Sequence, residues 1–165
     1  MIVNGVYDRL GKLTGEDKEK YKGIPTGFGL LDTYITGLNK SDFILIGARP
    51  AMGKTSFALN LASNVSMMAR KKCVFFSLEM TKEQLAERLL ASQAGVPSHK
   101  LRTGELDNDE WVRLGNAAGQ FNDVELYLDD TSSITVPEIK SRVRRMKDVD
   151  VIMIDYLGLI KSATR

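Results

Sequence analysis

The sequence lacks the paired cysteines of many secreted proteins and the long apolar stretches of membrane proteins. It contains a single cysteine, Cys73, so an internal disulfide is excluded and a reducing cytoplasm is favoured. No apolar stretch is long enough to span a membrane. The first ten residues lack the basic start and the continuous apolar run of a signal peptide. We therefore expect a cytoplasmic protein with no membrane segment.

Charge and histidine are also scarce. The net charge is only +2, so bulk charge does not indicate a nucleic-acid partner. The one histidine, His99, has no visible partner and is predicted to lie in a surface loop. The chain has 165 residues, of which 43% are apolar and 27% charged. These values indicate an ordinary globular chain of one domain or part of one.

The most informative stretch begins at residue 42. An apolar run at 43–46 predicts a buried strand, a turn rich in glycine and proline follows, and residues 56–62 suit a helix. Strand, loop and helix in this order form the context of a P-loop, in which backbone N–H groups bind phosphate oxygens. The predicted phosphate-binding residues are Ala48, Arg49, Pro50, Ala51, Met52, Gly53, Lys54, Thr55 and Ser56.

Two side chains of this loop have predicted roles. Lys54 supplies a positive charge for the β- and γ-phosphates, and the Thr55 hydroxyl is placed to bind magnesium. The pattern G-x-x-x-x-G-K-[ST] departs at its first glycine, which is Ala48 here. Alanine fits only if the backbone there needs no positive φ. A chance glycine-rich turn is the competing interpretation.

Two further apolar runs end in carboxylates. Residues 150–155 have the Walker B pattern, which predicts a strand in the middle of the sheet with Asp155 near Thr55 to hold magnesium. Residues 74–79 predict a strand buried on both faces that ends in Glu79. Because strand carboxyl ends line the ligand crevice, Glu79 is placed to orient an attacking water. A carboxylate that favours the start of the next helix is the alternative.

The rest of the pattern predicts helices that alternate with strands. Capping boxes begin helices at Thr81, Asp107 and Thr135. Residues 101–104 are predicted to form a loop and 124–130 a third strand. The alternation of four strands with helices predicts a three-layer α/β sandwich with a mostly parallel sheet. The helix after Asp107 is predicted to bury Trp111, Leu114, Ala118 and Phe121.

Three polar features have alternative interpretations. Asp129 and Asp130 could bind a metal, but turn and cap hydrogen bonds are favoured. Arg88 could approach a nucleotide, although a solvated helix position is favoured. The helix after Thr135 has a basic face for which solvation is favoured over DNA contact. That face comprises Lys140, Arg142, Arg144, Arg145 and Lys147.

The N-terminal segment is predicted to be separate from the globular part. Residues 2–13 place apolar side chains at helical spacing, and the charged run 16–22 follows as a connector. The apolar face of this helix either docks on a neighbouring subunit or packs on its own domain. We therefore predict a linker helix and connector at 1–22 and a globular part at 23–165.

Six short segments then form an ordered series. They are Gly-Ile-Pro-Thr-Gly-Phe at 23–28, Ala-Arg-Pro-Ala-Met-Gly-Lys-Thr at 48–55, Phe-Ser-Leu-Glu-Met at 76–80, Leu-Arg-Thr-Gly at 101–104, Leu-Asp-Asp-Thr at 128–131 and Ile-Asp-Tyr-Leu at 154–157. In order and spacing they resemble the bacterial replicative DNA helicases of the DnaB family. Alanine at position 48 is usual for that family. Gly158 departs from it, because the family commonly has glutamine there.

The resemblance implies a RecA-like ATPase that works with ATP and Mg²⁺. It implies a ring-shaped homo-hexamer on single-stranded DNA, with primase and a helicase loader as partners. By resemblance, Lys54 and Thr55 bind phosphate and magnesium, Asp155 is the Walker B carboxylate and Glu79 is the catalytic base. The N-terminal helix resembles the linker helix that docks on the adjacent subunit.

The resemblance also implies that residues 23–165 are the N-terminal part of an ATPase domain. An arginine finger, which contributes about 10³–10⁵ in rate, is expected beyond residue 165. We therefore expect this chain alone to bind Mg–ATP weakly and not to unwind DNA. The alternatives are a RecA-like ATPase of recombination or circadian-clock type, a phage or organellar helicase-primase, and a non-catalytic nucleotide-binding module.

Overall fold

A computed structural model describes residues 2–14 and 22–162 of the chain. These residues form two compact units, one ending at Leu45 and the other beginning at Ile46. The predicted connector lies, except for residue 22, outside the described residues. Among the described helices, none combines the length and the apolar character needed to cross a membrane.

The first unit contains helix α1, Ile2–Thr14, which confirms the helical spacing seen in the sequence. Along this helix the side chains of Val6, Tyr7 and Leu10 are 52%, 72% and 52% exposed. Nothing in the described part of the chain therefore covers these three apolar side chains.

A short closed segment follows in the same unit. It contains helix α2, Gly29–Ile35, and its two ends pair through an antiparallel bridge between Ile24 and Leu38. A Cβ atom at Gly23 or Gly37 would lie only 2.7 Å from backbone atoms of the other glycine. Both positions therefore require glycine, because the two backbones approach too closely for any side chain.

The second unit is built from alternating helices and strands. Its parallel sheet has the order β2-β1-β3, with β1 at Cys73–Ser77, β2 at Leu126–Asp129 and β3 at Val151–Asp155. This arrangement confirms the predicted α/β class. The helices are α3 (Lys54–Met67), α4 (Lys82–Ala94), α5 (Ser98–Thr103), α6 (Asn108–Phe121) and α7 (Val136–Met146), and a 3₁₀ turn spans Leu157–Leu159.

The core surrounds the central strand. All five residues of β1 are buried, as the apolar run predicts for a strand covered on both faces. On one face Val74 and Phe76 pack with Ile139 of α7. Because strand side chains alternate, Phe75 points to the opposite face, and α3, which contacts all three strands, covers that face. The result is a helix, sheet and helix layering.

The strand predicted at 43–46 does not form in the described part of the chain. These residues have no ladder partner among the described strands, and Phe43, Ile44 and Leu45 are 81%, 50% and 72% exposed. An apolar run becomes a strand only when a neighbouring strand accepts its backbone hydrogen bonds. Consequently the described sheet has three strands rather than four, and β3 lies at its edge rather than in its middle.

Three predictions for the stretch between α4 and β2 were also wrong, at least in part. Residues 101–104 were expected to form a loop, but most of them belong to helix α5, which ends at Gly104 with a φ of 76°. His99 was expected in a surface loop; it is exposed, but it lies in this helix. On α6 the buried positions are Glu110, Leu114 and Ala117, whereas Trp111 is 61% exposed. Ala118 is exposed as well.

The buried carboxylate of Glu110 explains why α6 turns a different face to the core than its apolar spacing predicts. Its Oε1 atom is 2.7 Å from Lys100 Nζ, and its Oε2 atom accepts a hydrogen bond of 3.0 Å from the Asp107 N–H. These contacts satisfy the charge inside the fold, and the pKa of Glu110 is lowered by its hydrogen bond with Lys100. With Glu110 turned inward, the next residue, Trp111, faces outward.

The three capping boxes are confirmed by reciprocal hydrogen bonds at Thr81, Asp107 and Thr135. Asp129, the last residue of β2, forms the local turn bond favoured in the sequence, because it accepts from the Thr131 N–H at 3.0 Å. Asp130 instead accepts at 3.0 Å from the N–H of Lys82, the first residue of α4, which lies 48 positions earlier.

Arg142 does not belong to the predicted solvated basic face. It forms an ion pair with Asp129 and donates to the Thr131 hydroxyl at 2.6 Å. One cation of the five is therefore held against the end of β2, whereas Lys140, Arg144, Arg145 and Lys147 are exposed. The basic face is smaller than the sequence suggests because the Arg142 side chain pairs with the Asp129 carboxylate.

Candidate functional site

The loop before α3 has the backbone of a tight turn. The Met52 N–H donates to the Arg49 carbonyl at 3.3 Å, and Gly53 caps α3 with a φ of 83°. Ala51 also has a positive φ, 63°, whereas Ala48 is not among the residues with positive φ. The alanine that replaces the first glycine of the motif therefore causes no backbone strain.

The N-terminus of α3 opens at the end of this loop. Lys54, Thr55 and Ser56 occupy its first turn, where backbone N–H groups have no carbonyl one turn earlier. These groups and the helix dipole favour an anion at this position. The first turn of α3, which the structure describes in full, contains no acidic residue to occupy that field.

Asp155, the last residue of β3, meets this helix start. The side chain of Asp155 is only 5% exposed, and its two oxygens have different partners. Oδ1 lies 2.8 Å from Lys54 Nζ, and Oδ2 accepts a hydrogen bond of 2.5 Å from the Thr55 hydroxyl. The structure thus brings Asp155 to Lys54 and Thr55, about a hundred positions earlier in the sequence, as the pairing of the two motifs predicts.

Glu79 lies near the same edge of the sheet. β1 ends at Ser77, which pairs in register with Asp155, so Glu79 lies two residues beyond that shared edge. The turn is held by Ser77, whose hydroxyl donates to the Met80 carbonyl at 2.7 Å and accepts from the Met80 N–H at 3.1 Å. Glu79 itself is exposed. It is neither a strand residue nor the cap of α4, since Thr81 takes that role.

The donor set at this site suits magnesium better than a metal that needs a protein cage. In the described ranges, no group of three or more His, Cys, Asp or Glu side chains could hold a metal ion. Mg²⁺ usually keeps several waters and binds through one or two carboxylates together with substrate phosphates. The Asp155 carboxylate beside the Thr55 hydroxyl provides this kind of partial coordination.

Two features of the site were not found by sequence reasoning. The ring of Tyr156 lies under the Lys54 ammonium, with Nζ 4.4 Å from the ring centroid. In addition, a cavity of about 740 Å³ opens between α3 and α4 and is walled in part by Ser56 and Arg88. Arg88 is exposed on that wall. Neither feature has a local sequence signal, because each depends on residues far apart in the chain.

Comparison with known proteins decides the family. The DnaB-like helicase C-terminal domain family matches residues 23–165. The chain belongs to this family. It is 41% identical to the replicative DNA helicase DnaB of Geobacillus stearothermophilus, over 99% of the chain and 37% of that relative. It is also 41% identical to the replicative DNA helicase DnaC of Bacillus subtilis, with the same coverage.

Solved structures agree with the family assignment. A structure described as an ATPase domain has a TM-score of 0.88 and 30% identity, with 99% of this chain and 58% of that chain covered. A DnaB-like replicative helicase whose structure describes its interactions with primase has a TM-score of 0.87 and 30% identity, with 99% and 40% covered. The fold is therefore that of DnaB-like ATPase domains, and the match favours the helicase hypothesis over the other RecA-like ATPases.

The DnaB-like chain is much shorter than its relatives. It spans 37% of the length of both helicases from Geobacillus and Bacillus. Properties of the whole protein therefore do not follow from the family match alone.

Proposed function

We propose that the chain binds ATP with Mg²⁺ and is part of the motor of a replicative DNA helicase. The observation that carries this proposal is the convergence of Lys54, Thr55 and Asp155 at the N-terminus of α3 in a DnaB-like fold. The phosphates are bound by the loop from Ala48 to Ser56. The proposed domain division is a linker helix and connector at 1–22 and the N-terminal part of an ATPase domain at 23–165.

The proposed role of Lys54 is to exchange one anion for another. In the structure its ammonium neutralises Asp155, which is buried and would otherwise be an unpaired charge. On nucleotide binding, the ammonium moves to the β- and γ-phosphates. Asp155 and Thr55 would then hold Mg²⁺, which when bound neutralises charge on the phosphates.

Glu79 is the proposed catalytic base. It lies two residues past the end of β1 and directly before the cap of α4, so its backbone is held between two fixed points. From this edge of the sheet it orients the attacking water and accepts a proton from it. Its exposure leaves the carboxylate accessible to that water.

For the whole protein, we propose that ATP hydrolysis drives translocation on single-stranded DNA and duplex unwinding during replication. The proposal includes a homo-hexamer, contact with primase and a helicase loader, and a cytoplasmic location. It is supported by relatives named replicative DNA helicases and by a structural neighbour described with primase. The exposed apolar side chains of α1 support docking on a neighbouring subunit.

The testing experiment is a calorimetric titration of the chain with Mg–ATP and with ATP in EDTA. We expect saturable binding that depends on magnesium. Lys54→Ala should weaken it by at least about tenfold, or ~1.4 kcal/mol, because the phosphates lose their cation. Lys140→Ala removes an exposed lysine from α7 and should leave the affinity unchanged.

Equal affinities for wild type and Lys54→Ala would reject the proposed phosphate site. The circular dichroism spectrum shows whether the chain is folded. If a folded chain does not bind Mg–ATP, nucleotide binding by the unit that begins at Ile46 is rejected.

A further inference from the structure

The Lys54 ammonium has two neighbours of different kinds. Asp155 Oδ1 lies 2.8 Å away and carries a formal charge, whereas the Tyr156 ring lies 4.4 Å away at its centroid and is neutral. Both neighbours are consecutive residues at the end of β3. A ring face at this distance attracts an ammonium through its quadrupole.

The position of the Tyr156 ring depends on Gly158. A Cβ atom built at position 158 would lie 2.9 Å from Tyr156 Cε2 and 3.4 Å from Cδ2. The first distance is shorter than real Cβ contacts, so any side chain at position 158 would displace the ring.

We propose that Tyr156 is a positioning residue for Lys54 and that Gly158 provides the space in which its ring can lie against the lysine. The proposal rests on the proposed function of Lys54 in phosphate binding. It adds two residues to the site, and both act through Lys54.

The physical reason is that the two contacts of Lys54 respond differently to a ligand. A phosphate replaces Asp155 as the anionic partner of the ammonium. The neutral ring need not be released when that exchange occurs. Holding a long side chain in place beforehand lowers the ordering cost of binding. Without the ring, Lys54 would have to be ordered by the phosphates alone.

A spectroscopic measurement tests the contact without any ligand. Chain labelled with ¹³C-lysine is recorded by NMR, with the Lys54 signal assigned through Lys54→Arg. A methylene next to an ammonium over a ring face experiences the ring current, so the Lys54 ε-protons should lie upfield of those of the other lysines. The shift should persist in Tyr156→Phe, disappear in Tyr156→Leu and decrease in Gly158→Ala.

A second measurement tests the consequence for binding. Mg–ATP affinity should fall about two- to fivefold in Tyr156→Leu, the range expected for an exposed cation–π contact. Tyr156→Phe should restore the wild-type affinity, because it keeps the ring. Tyr127→Leu is a matched control, since Tyr127 on β2 is 41% exposed, as is Tyr156. A structural effect of losing any surface tyrosine would appear in this control as well.

Each outcome has one meaning. An unshifted Lys54 signal in the wild type, or an equal shift in Tyr156→Leu, would overturn the positioning contact. An unchanged shift in Gly158→Ala would overturn the role of Gly158. Equal affinities of the Leu and Phe variants would overturn the benefit for binding. A wild-type ring shift together with no Mg–ATP binding would instead reject the proposed function and leave the contact intact.

Discussion

At the scale of single residues, Asp155 does most to assemble the candidate site. It is buried, yet both of its carboxylate oxygens have partners, Lys54 and Thr55, so its charge is not left unpaired inside the fold. A buried carboxylate with one lysine and one hydroxyl partner can exchange the lysine for a metal ion and so keep a cationic partner. Asp155 is therefore the residue whose replacement should change the effect of magnesium on ATP binding.

We expect Asp155→Asn to abolish the magnesium dependence of ATP binding. The amide keeps the shape of the carboxylate but carries no charge to attract Mg²⁺. The measurement is the ratio of ATP affinities with magnesium and with EDTA, which should approach one. Asp123→Asn, an exposed change in the turn before β2, should keep the wild-type ratio. A wild-type ratio in Asp155→Asn would contradict the metal assignment.

The thiol of Cys73 should be inert in the folded chain. Cys73 opens the buried strand β1, and burial raises the pKa of its thiol to about 12. Because the thiolate is the reactive form, neutral pH leaves almost none of it. We expect a thiol reagent such as DTNB to react only after denaturant unfolds the chain. Rapid reaction of one equivalent without denaturant would disprove this.

At the scale of elements, the capping boxes could be predicted from sequence and the phase of α6 could not. A capping box depends on residues three positions apart, so Thr81 with Gln84 contains the whole signal. The inward face of α6 depends on Lys100, a partner on another helix that makes burial of Glu110 favourable. The prediction from apolar spacing placed Trp111 inside the fold, because it took the charged residue Glu110 to face water.

The ion pair between Asp129 on β2 and Arg142 on α7 should contribute to the stability of the fold. Burial alone would raise the pKa of Asp129, but its hydrogen bonds, first with Arg142, outweigh this effect and lower it. We expect Arg142→Met to reduce the free energy of unfolding at pH 7 by about 1–2 kcal/mol in urea titrations. Arg144→Met, an exposed change on the same helix, is the control and should have little effect.

The pH dependence of the unfolding free energy gives a second test of this ion pair. A carboxylate with a lowered pKa stabilises the fold above its ordinary value of 3.8 and loses that contribution as the pH falls below it. The stability difference between wild type and Arg142→Met should therefore shrink as the pH is lowered from about 5 toward about 3. A difference that stays constant over this range would show that packing, not charge, is responsible.

At the scale of the whole molecule, the proposed hexamer requires a surface that joins subunits. The apolar side chains of α1 are exposed in the described chain, and such a face is usually covered by a partner. We expect Tyr7→Ser with Leu10→Ser to lower the average mass of concentrated chain in analytical ultracentrifugation. Asp8→Ser, on the same helix, should not. A monomeric wild type at every concentration would argue against a role of α1 in assembly.

Features whose signals are local could be predicted from the amino-acid sequence alone. Helix starts, the fully buried β1 and the two motifs around Lys54 and Asp155 depend on residues close together, and the α/β class follows from their alternation. Even the approach of Asp155 to Thr55 was predicted, because a Walker B aspartate paired with a P-loop is expected beside the magnesium-binding hydroxyl of that loop.

Features that depend on distant partners became visible only in the folded chain. The apolar run at 43–46 is not a strand, because no neighbouring strand among the described residues accepts its hydrogen bonds. The exchangeable ion pair of Lys54 and its contact with Tyr156 arise because the end of β3 lies against the start of α3. Such contacts join residues about a hundred positions apart, and their geometry is set by packing rather than by any local pattern.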